Sequence, residues 1–570
     1  MDSKKDIKKT LMPLVLANLK PAVTVAIVSV PLSIALSIAS GAGPVPGIIT
    51  GFWATIIAGI FGGSHYNVVG PAGALTSILF AVAAGSIVGI TGPWVLPVLA
   101  VTSGLMILAA YFLRGERYLK YIPSSVVLGF SAGVAVSIAS TQIKEAFGLT
   151  FVRTHGEVLR DVFILMQNIF SADWVTFSVF LGGFIFLLVW KKTVKSFPGV
   201  IPLVVFGMIF GFATRDTALA SHIPTIADRY QNLHFSLFSF PEISNLPRLF
   251  HDLQTTLGII KISALIAVVA ILETLITARV ADKLTGTRFD EKKEMKGLAL
   301  ANITSGIMGG LPATGVFVRT GLNIKSGAKH SVSAIIAGIL TGIGAIIFFP
   351  ALQFIPMAII AAILYMTALG LIEVSQFKTM LKNSREDFLI AMSVAVLILI
   401  FDAGVAIGVG SLIALILFIE RTSNGNAELL LNLDGKLIKK TTSGKIGLIE
   451  DDYDTVVYSI AGFCSYLDAQ THASRLLKMV KNNPHLHTIV LRMRNIYHFD
   501  IDAIESIAYA IKELEKRNIR VAISSCSEDL ENRLVGHCAY KAFDALKESG
   551  LFFPKSSIAV EYFRQKDAVA

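Results

Sequence analysis

Two stretches decide how this chain folds: Val69-Gly-Pro-Ala-Gly-Ala-Leu-Thr76 and Leu311-Pro-Ala-Thr-Gly-Val-Phe317. Each opens a short apolar segment with Gly and Pro, and Pro71 and Pro312 lie about 240 residues apart. The same offset carries the first apolar segment, around Pro31, onto the eighth, around Glu273. Seven segments per copy is an odd number, so the second copy must enter a bilayer upside down. That is the trace of an inverted-repeat secondary transporter.

The surrounding chain supports a lipid environment. Of 570 residues, 54% are hydrophobic and only 16% charged, and the mean hydropathy is +0.67. A soluble protein carries roughly a quarter charged residues. Apolar runs long enough to cross ~30 Å of hydrocarbon recur from Leu11 to Ile419. Fourteen spans are expected, centred near Val30, Ile56, Ile78, Leu105, Ala135, Gly182, Gly207, Val268, Ile303, Leu322, Ile339, Ile360, Val394 and Leu412, with the third, ninth and tenth short. The first is read as an uncleaved helix, since its apolar stretch is too long for a signal peptide.

Charge sets the orientation. The lysine-rich N-terminus is placed inside, and the inside loops then hold Arg114, Arg117 and Lys120; Lys191, Lys192 and Lys195; Arg279 to Lys296; Lys325 and Lys329; and Lys378, Lys382 and Arg385. The outside loops 41–46 and 85–93 hold no Lys or Arg. This bias explains the net charge of +10 without nucleic acid. An even count returns the C-terminus to the cytoplasm, giving a multi-pass protein of the bacterial inner membrane.

The expected domains are a transport domain over 1–421, a linker over 422–440 and a cytoplasmic domain over 441–570. In the last, Thr455–Ala461, Thr488–Met493 and Arg520–Ser524 read as strands, and Tyr466–Lys481 and Asp502–Lys516 as amphipathic helices. It is a small α/β domain with no Walker or dinucleotide glycine loop. Cys464, Cys526 and Cys538 form no metal spacing and read as reduced thiols, and His485, His487 and His498 as surface residues. No nucleophile–base pair appears, so an enzyme is the least favoured class.

Gly-Pro at mid-membrane depth suggests an extended segment followed by a half-helix, tolerated only where protein or a water-filled cavity covers it. Two such half-helices in opposite orientation bring their N-termini together, and free N–H groups with positive dipole ends make an anion site. Ala72, Gly73, Ala74 and Gly315 are small enough to let an ion approach the backbone. Arg319 either adds positive potential there, pairs with an acid, or snorkels. Glu273, inside the eighth span, either binds a coupling cation, carries a proton, or pairs with Arg319. Thr277, one turn on, is either a ligand or a back-bonded hydroxyl. Gly207-xxx-Gly211 and Gly338-xxx-Gly342 read as close helix packing.

On Val30-Pro-Leu-Ser, Ala39-Ser-Gly-Ala-Gly43, Phe61-Gly-Gly-Ser64, Gly70-Pro-Ala-Gly-Ala, Ala281-Asp-Lys283, Asn302, Gly309-Gly-Leu-Pro-Ala-Thr-Gly315 and Arg319-Thr320, the chain resembles the SulP (sulfate permease) family. Its C-terminal part resembles the STAS domain. The resemblance implies a polytopic α-helical protein of fourteen spans in a 7+7 inverted repeat, split into core and gate, plus a cytoplasmic α/β STAS domain. It also implies homodimers and a small inorganic anion held between the third and tenth half-helices, by Ala72 and Gly73 and by Val316, Phe317 and Val318. The wording is nearest to the branch of bacterial bicarbonate transporters.

The chain departs from family patterns in four places. The sodium site of bicarbonate transporters uses Asp, Thr, Gly and Thr where this chain has Glu273, Thr277, Gly315 and Phe317, which leaves Na⁺ and H⁺ as alternative coupling ions. No other cofactor is implied. Leu32 stands where many sulfate permeases have Gln, and Val318 where vertebrate relatives have Ser. Asp500-Ile-Asp502-Ala503 lacks the phosphorylated Ser of stand-alone STAS proteins. The function expected is a secondary active transporter of the sulfate or bicarbonate class. A passive anion channel, a chloride/anion exchanger and a membrane sensor are the alternatives.

Overall fold

A computed structural model describes residues 3–569, apart from 86–91, 118–121, 150–151, 153–157, 195–196, 231–234, 241–251, 402, 424–426, 434–435, 443–452 and 536–540. Lys120, Lys195, Cys538, most of the outside loop 85–93 and part of the long outside segment 215–258 lie outside the described residues. The chain divides into two units, Met1–Leu412 and Ile413–Ala570.

In the first unit each of the fourteen expected centres falls within a helix. In chain order these are α1 (Ser3–Ala39), α2 (Pro44–Phe61), α3 (Gly73–Ala83), α4 (Val95–Phe112), α5 (Ser124–Thr141), α6 (Trp174–Thr193), α7 (Val200–Thr214), α8 (Leu253–Thr285), α9 (Glu291–Ile307), α10 (Phe317–Lys325), α11 (Val332–Leu352), α12 (Met357–Leu371), α13 (Arg385–Ile400) and α14 (Ala403–Ser423). Eight helices among the described residues are long and apolar enough to cross a membrane on their own.

At 1.5 Å per residue, α3 and α10, of 11 and 9 residues, reach only about 16 and 13 Å, half a bilayer each. The ninth span, expected to be short, is a helix of 17 residues. Its first turns, Glu291-Lys-Lys-Glu-Met-Lys296, are charged and so escape a hydropathy reading, while Asp290 caps them by accepting from the Lys293 amide at 3.0 Å.

Packing repeats under exchange of each helix with the one seven places on. Helix α2 packs on α11 as α9 packs on α4. Helix α1 packs on α11 and α10 as α8 packs on α4 and α3, and α5 meets α13 as α12 meets α6. Helices 1–4 and 8–11 therefore interlock in one bundle, and α5, α6, α12 and α13 pair in another. The Gly-xxx-Gly pairs are packing surfaces. A β-carbon on Gly338 would stand 2.7 Å from the Ile56 side chain, and one on Gly207 would stand 2.8 Å from that of Ile359.

The second unit is a six-stranded sheet with helices. Strands β3 (Ala427–Leu433), β4 (Lys436–Thr442), β5 (Thr455–Cys464), β6 (Thr488–Phe499), β7 (Arg520–Ser524) and β8 (Phe552–Phe553) lie in the order β4-β3-β5-β6-β7-β8. The β5-to-β8 pairings are parallel and those of β3 antiparallel. Helices α15 (Ala469–Asn482) and α16 (Ile501–Glu515) bury Leu476, Ile507 and Ile511 against Tyr458 and Leu491.

The linker expected over 422–440 is corrected by this sheet. β3 pairs with β5 from Ala427↔Ile460 to Leu431↔Val456, so most of that segment is structural edge rather than tether. Its alternation in Ala-Glu-Leu-Leu-Leu-Asn-Leu was too brief to read as a strand without its partner.

Candidate functional site

The half-helices are joined by a sheet of two strands, each two residues long. In it β1 (Val69–Gly70) runs antiparallel to β2 (Thr314–Gly315), with Val69 opposite Gly315 and Gly70 opposite Thr314. The Val316 amide extends the pairing by donating to Val68 O at 2.9 Å. Helices α3 and α10 leave the two strands in turn.

Their N-caps are Ala72 and Val316, both extended, and neither carries a side-chain capping bond. Among the described residues the amides of Gly73, Ala74, Phe317 and Val318 have no acceptor. Two sets of unpaired donors at positive dipole ends therefore sit on either side of one strand pair. The helices start at Gly73 and Phe317, beyond Pro71 and Pro312, so neither proline occupies a first turn. Pro71 directly follows β1 and Pro312 lies just before β2, so each sits in extended chain, where its missing N–H breaks no helical bond.

Polar side chains satisfy the strand backbone, as buried chain at this depth requires. Asn302, fully buried, clamps the Ala313 peptide unit. Its Oδ1 accepts from the Ala313 amide at 2.8 Å and its Nδ2 donates to Ala313 O at 3.0 Å. Thr274 Oγ1 accepts from the Gly315 amide at 2.8 Å, and Thr277 Oγ1 donates to Gly315 O at 3.1 Å. Thr55 Oγ1 donates to Val69 O at 2.5 Å.

Glu294 accepts from the Gly63 and Ser64 amides and, at 2.6 Å, from Asn67 Nδ2, while Asn67 Oδ1 accepts from Thr320 Oγ1 at 3.0 Å. Glu294 and Asn67 thus tie the approach to α3 onto α9 and α10. Of these clamps only Thr277 was singled out from sequence as functional. Its hydroxyl donates across to Gly315 O of β2 and so does not bond back to its own helix. Asn302 stood within the family-like wording, but Asn67, Thr274 and Glu294 carried no local signal.

A cavity of about 280 Å³ opens beside the crossing, with Ala74, Glu273, Thr277, Arg279, Phe317 and Glu373 in its wall. Glu273, partly exposed to it, accepts from Thr314 Oγ1 at 2.6 Å. Phe317 and Val318 are 44% and 40% exposed. Ala72, Gly73, Gly315 and Val316 lie buried behind them in the crossing itself.

Arg319 is fully buried and is not in the cavity wall. Its Nη2 donates to Ser33 Oγ of α1 at 2.9 Å, its Nη1 lies against Gly70, and Nε and Nη1 have no hydrogen-bond partner. It forms no ion pair with Glu273 or with any other carboxylate among the described residues. Pairing with an acid, one of the roles open to Arg319, is therefore not found among the described residues.

The profile of the sulfate permease family matches residues 16–394, and that of the STAS domain residues 448–541. This chain belongs to the sulfate permease family. It is a multi-pass membrane protein of a family of sulfate and bicarbonate anion transporters with a C-terminal STAS domain. It is 27% identical over 503 residues to a putative sulfate transporter of Bacillus subtilis, covering 88% of this chain and 89% of that one. It is 25% identical over 524 residues to the bicarbonate transporter BicA of Picosynechococcus, covering 90% and 88%. Its fold resembles that of murine Solute Carrier 26 family member A9, an anion transporter solved in the inward-facing state, with a TM-score of 0.76 at 15% identity, covering 96% and 91%.

Proposed function

We propose that this sulfate permease family protein is a secondary active transporter of small inorganic anions of the sulfate or bicarbonate class. The observation that carries the proposal is the pair of uncapped helix starts at Gly73 and Phe317, held together by the Val69–Gly315 strand pairing beside a cavity that Glu273 lines. Unpaired amides and the Arg319 charge attract the anion, and the small residues Ala72, Gly73 and Ala74 let it approach the backbone.

Glu273 stands within the same wall and carries the coupling ion. Phe317 brings no side-chain oxygen to the wall beside Glu273 and Thr277, so the donor set suits a proton on the carboxylate better than a sodium shell. The protein works as a homodimer in the bacterial inner membrane with both termini in the cytoplasm, and the STAS domain regulates it from that side.

Uptake into proteoliposomes tests this reading. Radiolabelled sulfate and bicarbonate, each competed with chloride and dicarboxylates, are measured at two external pH values with and without sodium. Saturable accumulation that follows the pH difference is expected, unchanged by sodium. Flux that only dissipates the anion gradient, with unitary currents in single-channel recording, would establish the channel reading instead.

A further inference from the structure

The soluble unit holds a cluster that the transport reading leaves unused. Cys464 ends β5, Asp468 is the N-cap residue of α15, and His472 follows one turn later. All three are buried, at 0%, 3% and 0% exposure. One ligand atom from each, Cys464 Sγ, an Asp468 carboxylate oxygen and a His472 ring nitrogen, lies within 4.8 Å of the other two. We propose that these three side chains form a binding site for a zinc-like divalent transition metal ion in the STAS domain.

The hydrogen-bond pattern suits a cation held among these side chains. His472 Nδ1 lies 2.8 Å from Tyr458 Oη, which fixes the ring. Its Nε2 faces Asp468 Oδ2 at 3.5 Å, yet it has no hydrogen-bond partner among the described residues although fully buried. A buried imidazole nitrogen without a partner is uncommon and costly. That distance is long for a charge-assisted hydrogen bond but near the separation, about 3.4 Å, of two ligands on one tetrahedral zinc ion.

Asp468 divides its oxygens accordingly, Oδ1 accepting from the Ser465 amide at 2.6 Å and Oδ2 remaining toward His472. The imidazole would then donate Nδ1–H to Tyr458, the outer hydrogen bond that metal-bound histidines usually make. Arg475 also reaches the Tyr458 hydroxyl.

Charge argues the same way. A divalent ion would balance one thiolate and one carboxylate around a neutral imidazole. The residues come from the end of β5 and the first turn of α15, so binding would lock that helix onto the sheet.

The test uses the full chain in detergent after chelation, titrated with Co²⁺ and then Zn²⁺. A thiolate-to-Co²⁺ charge-transfer band is expected, saturating near one equivalent, displaced by Zn²⁺, and retained in the Cys526→Ser, Cys538→Ser double variant. It should vanish in Cys464→Ser, and Zn²⁺ should raise the unfolding temperature of the parent chain but not of that variant. Asp468→Asn, which keeps the side-chain shape, should weaken Zn²⁺ binding at least tenfold, and it serves if Cys464→Ser does not fold. Absence of the band, its persistence in Cys464→Ser, or unchanged Zn²⁺ affinity in Asp468→Asn overturns the site.

Discussion

Glu273→Gln is expected to collapse pH-driven anion accumulation while leaving passive exchange measurable. The amide keeps the length of the side chain, and its oxygen still accepts from Thr314 Oγ1, as Glu273 Oε2 does. What it loses is the ability to take up and release a proton. One pH unit is worth about 1.4 kcal/mol per coupled proton, or about tenfold accumulation. The parent chain should therefore concentrate substrate about tenfold per pH unit for each coupled proton, and the variant should stop near equality. Anion–anion exchange, which needs the binding site but not the proton, should persist in the same vesicles. Full accumulation by Glu273→Gln would remove the carboxylate from the coupling mechanism.

Gly315→Ala should cut transport about 100-fold with little loss of folded protein. A β-carbon at Gly315 would stand 2.8 Å from Asn67 Nδ2 and 2.9 Å from the Thr274 α-carbon. The second contact is backbone of α8 and cannot rotate away, so β2 must move. Such overpacking costs about 1–3 kcal/mol, which a protein of this size survives. The displacement falls where Gly315 opposes Val69 and where Thr274 and Thr277 grip its amide and carbonyl. A shift approaching 1 Å between two sets of amides that must converge on one ion is expected to lower the uptake rate about 100-fold. Gly321→Ala, on α10 with open space at that position, is the matched control and should stay within about twofold of the parent. Equal flux from both variants would show that the strand pairing does not set the site geometry.

Much of the architecture was legible because lipid imposes few solutions. Apolar runs located every membrane helix centre, and the recurrence of Gly and Pro near Pro71 and Pro312 located both half-helices. The charged first turns of α9 hid its length, because a hydropathy reading takes charge at a membrane boundary for loop. The two short strands before the half-helices went unread because a two-residue strand has no periodicity to detect.

The clamps were hidden for a different reason. Asn67 bonds to Thr274 O and to Thr320 across 207 and 253 residues of sequence and Thr274 Oγ1 bonds to Gly315 across 41, and a buried Thr on a membrane helix looks the same whether it back-bonds or grips a distant strand. Arg319 was conspicuous as an intramembrane cation, but that its neighbour is Ser33 rather than Glu273 follows only from how α1 packs on α10. In the soluble unit the Cys464, Asp468 and His472 spacing crosses a strand-to-helix turn, so no single-element pattern exposes it.

The most direct measurement is the position of a bound heavy anion. Crystals of the full chain grown with selenate, a sulfate analogue with an anomalous signal, should show one strong site between α3 and α10. It should lie within about 3 Å of the amides of Gly73 or Ala74 and of Phe317 or Val318. An ion bound on the far side of the cavity, against Arg279, or continuous helix running through Pro71 and Pro312 would contradict the account.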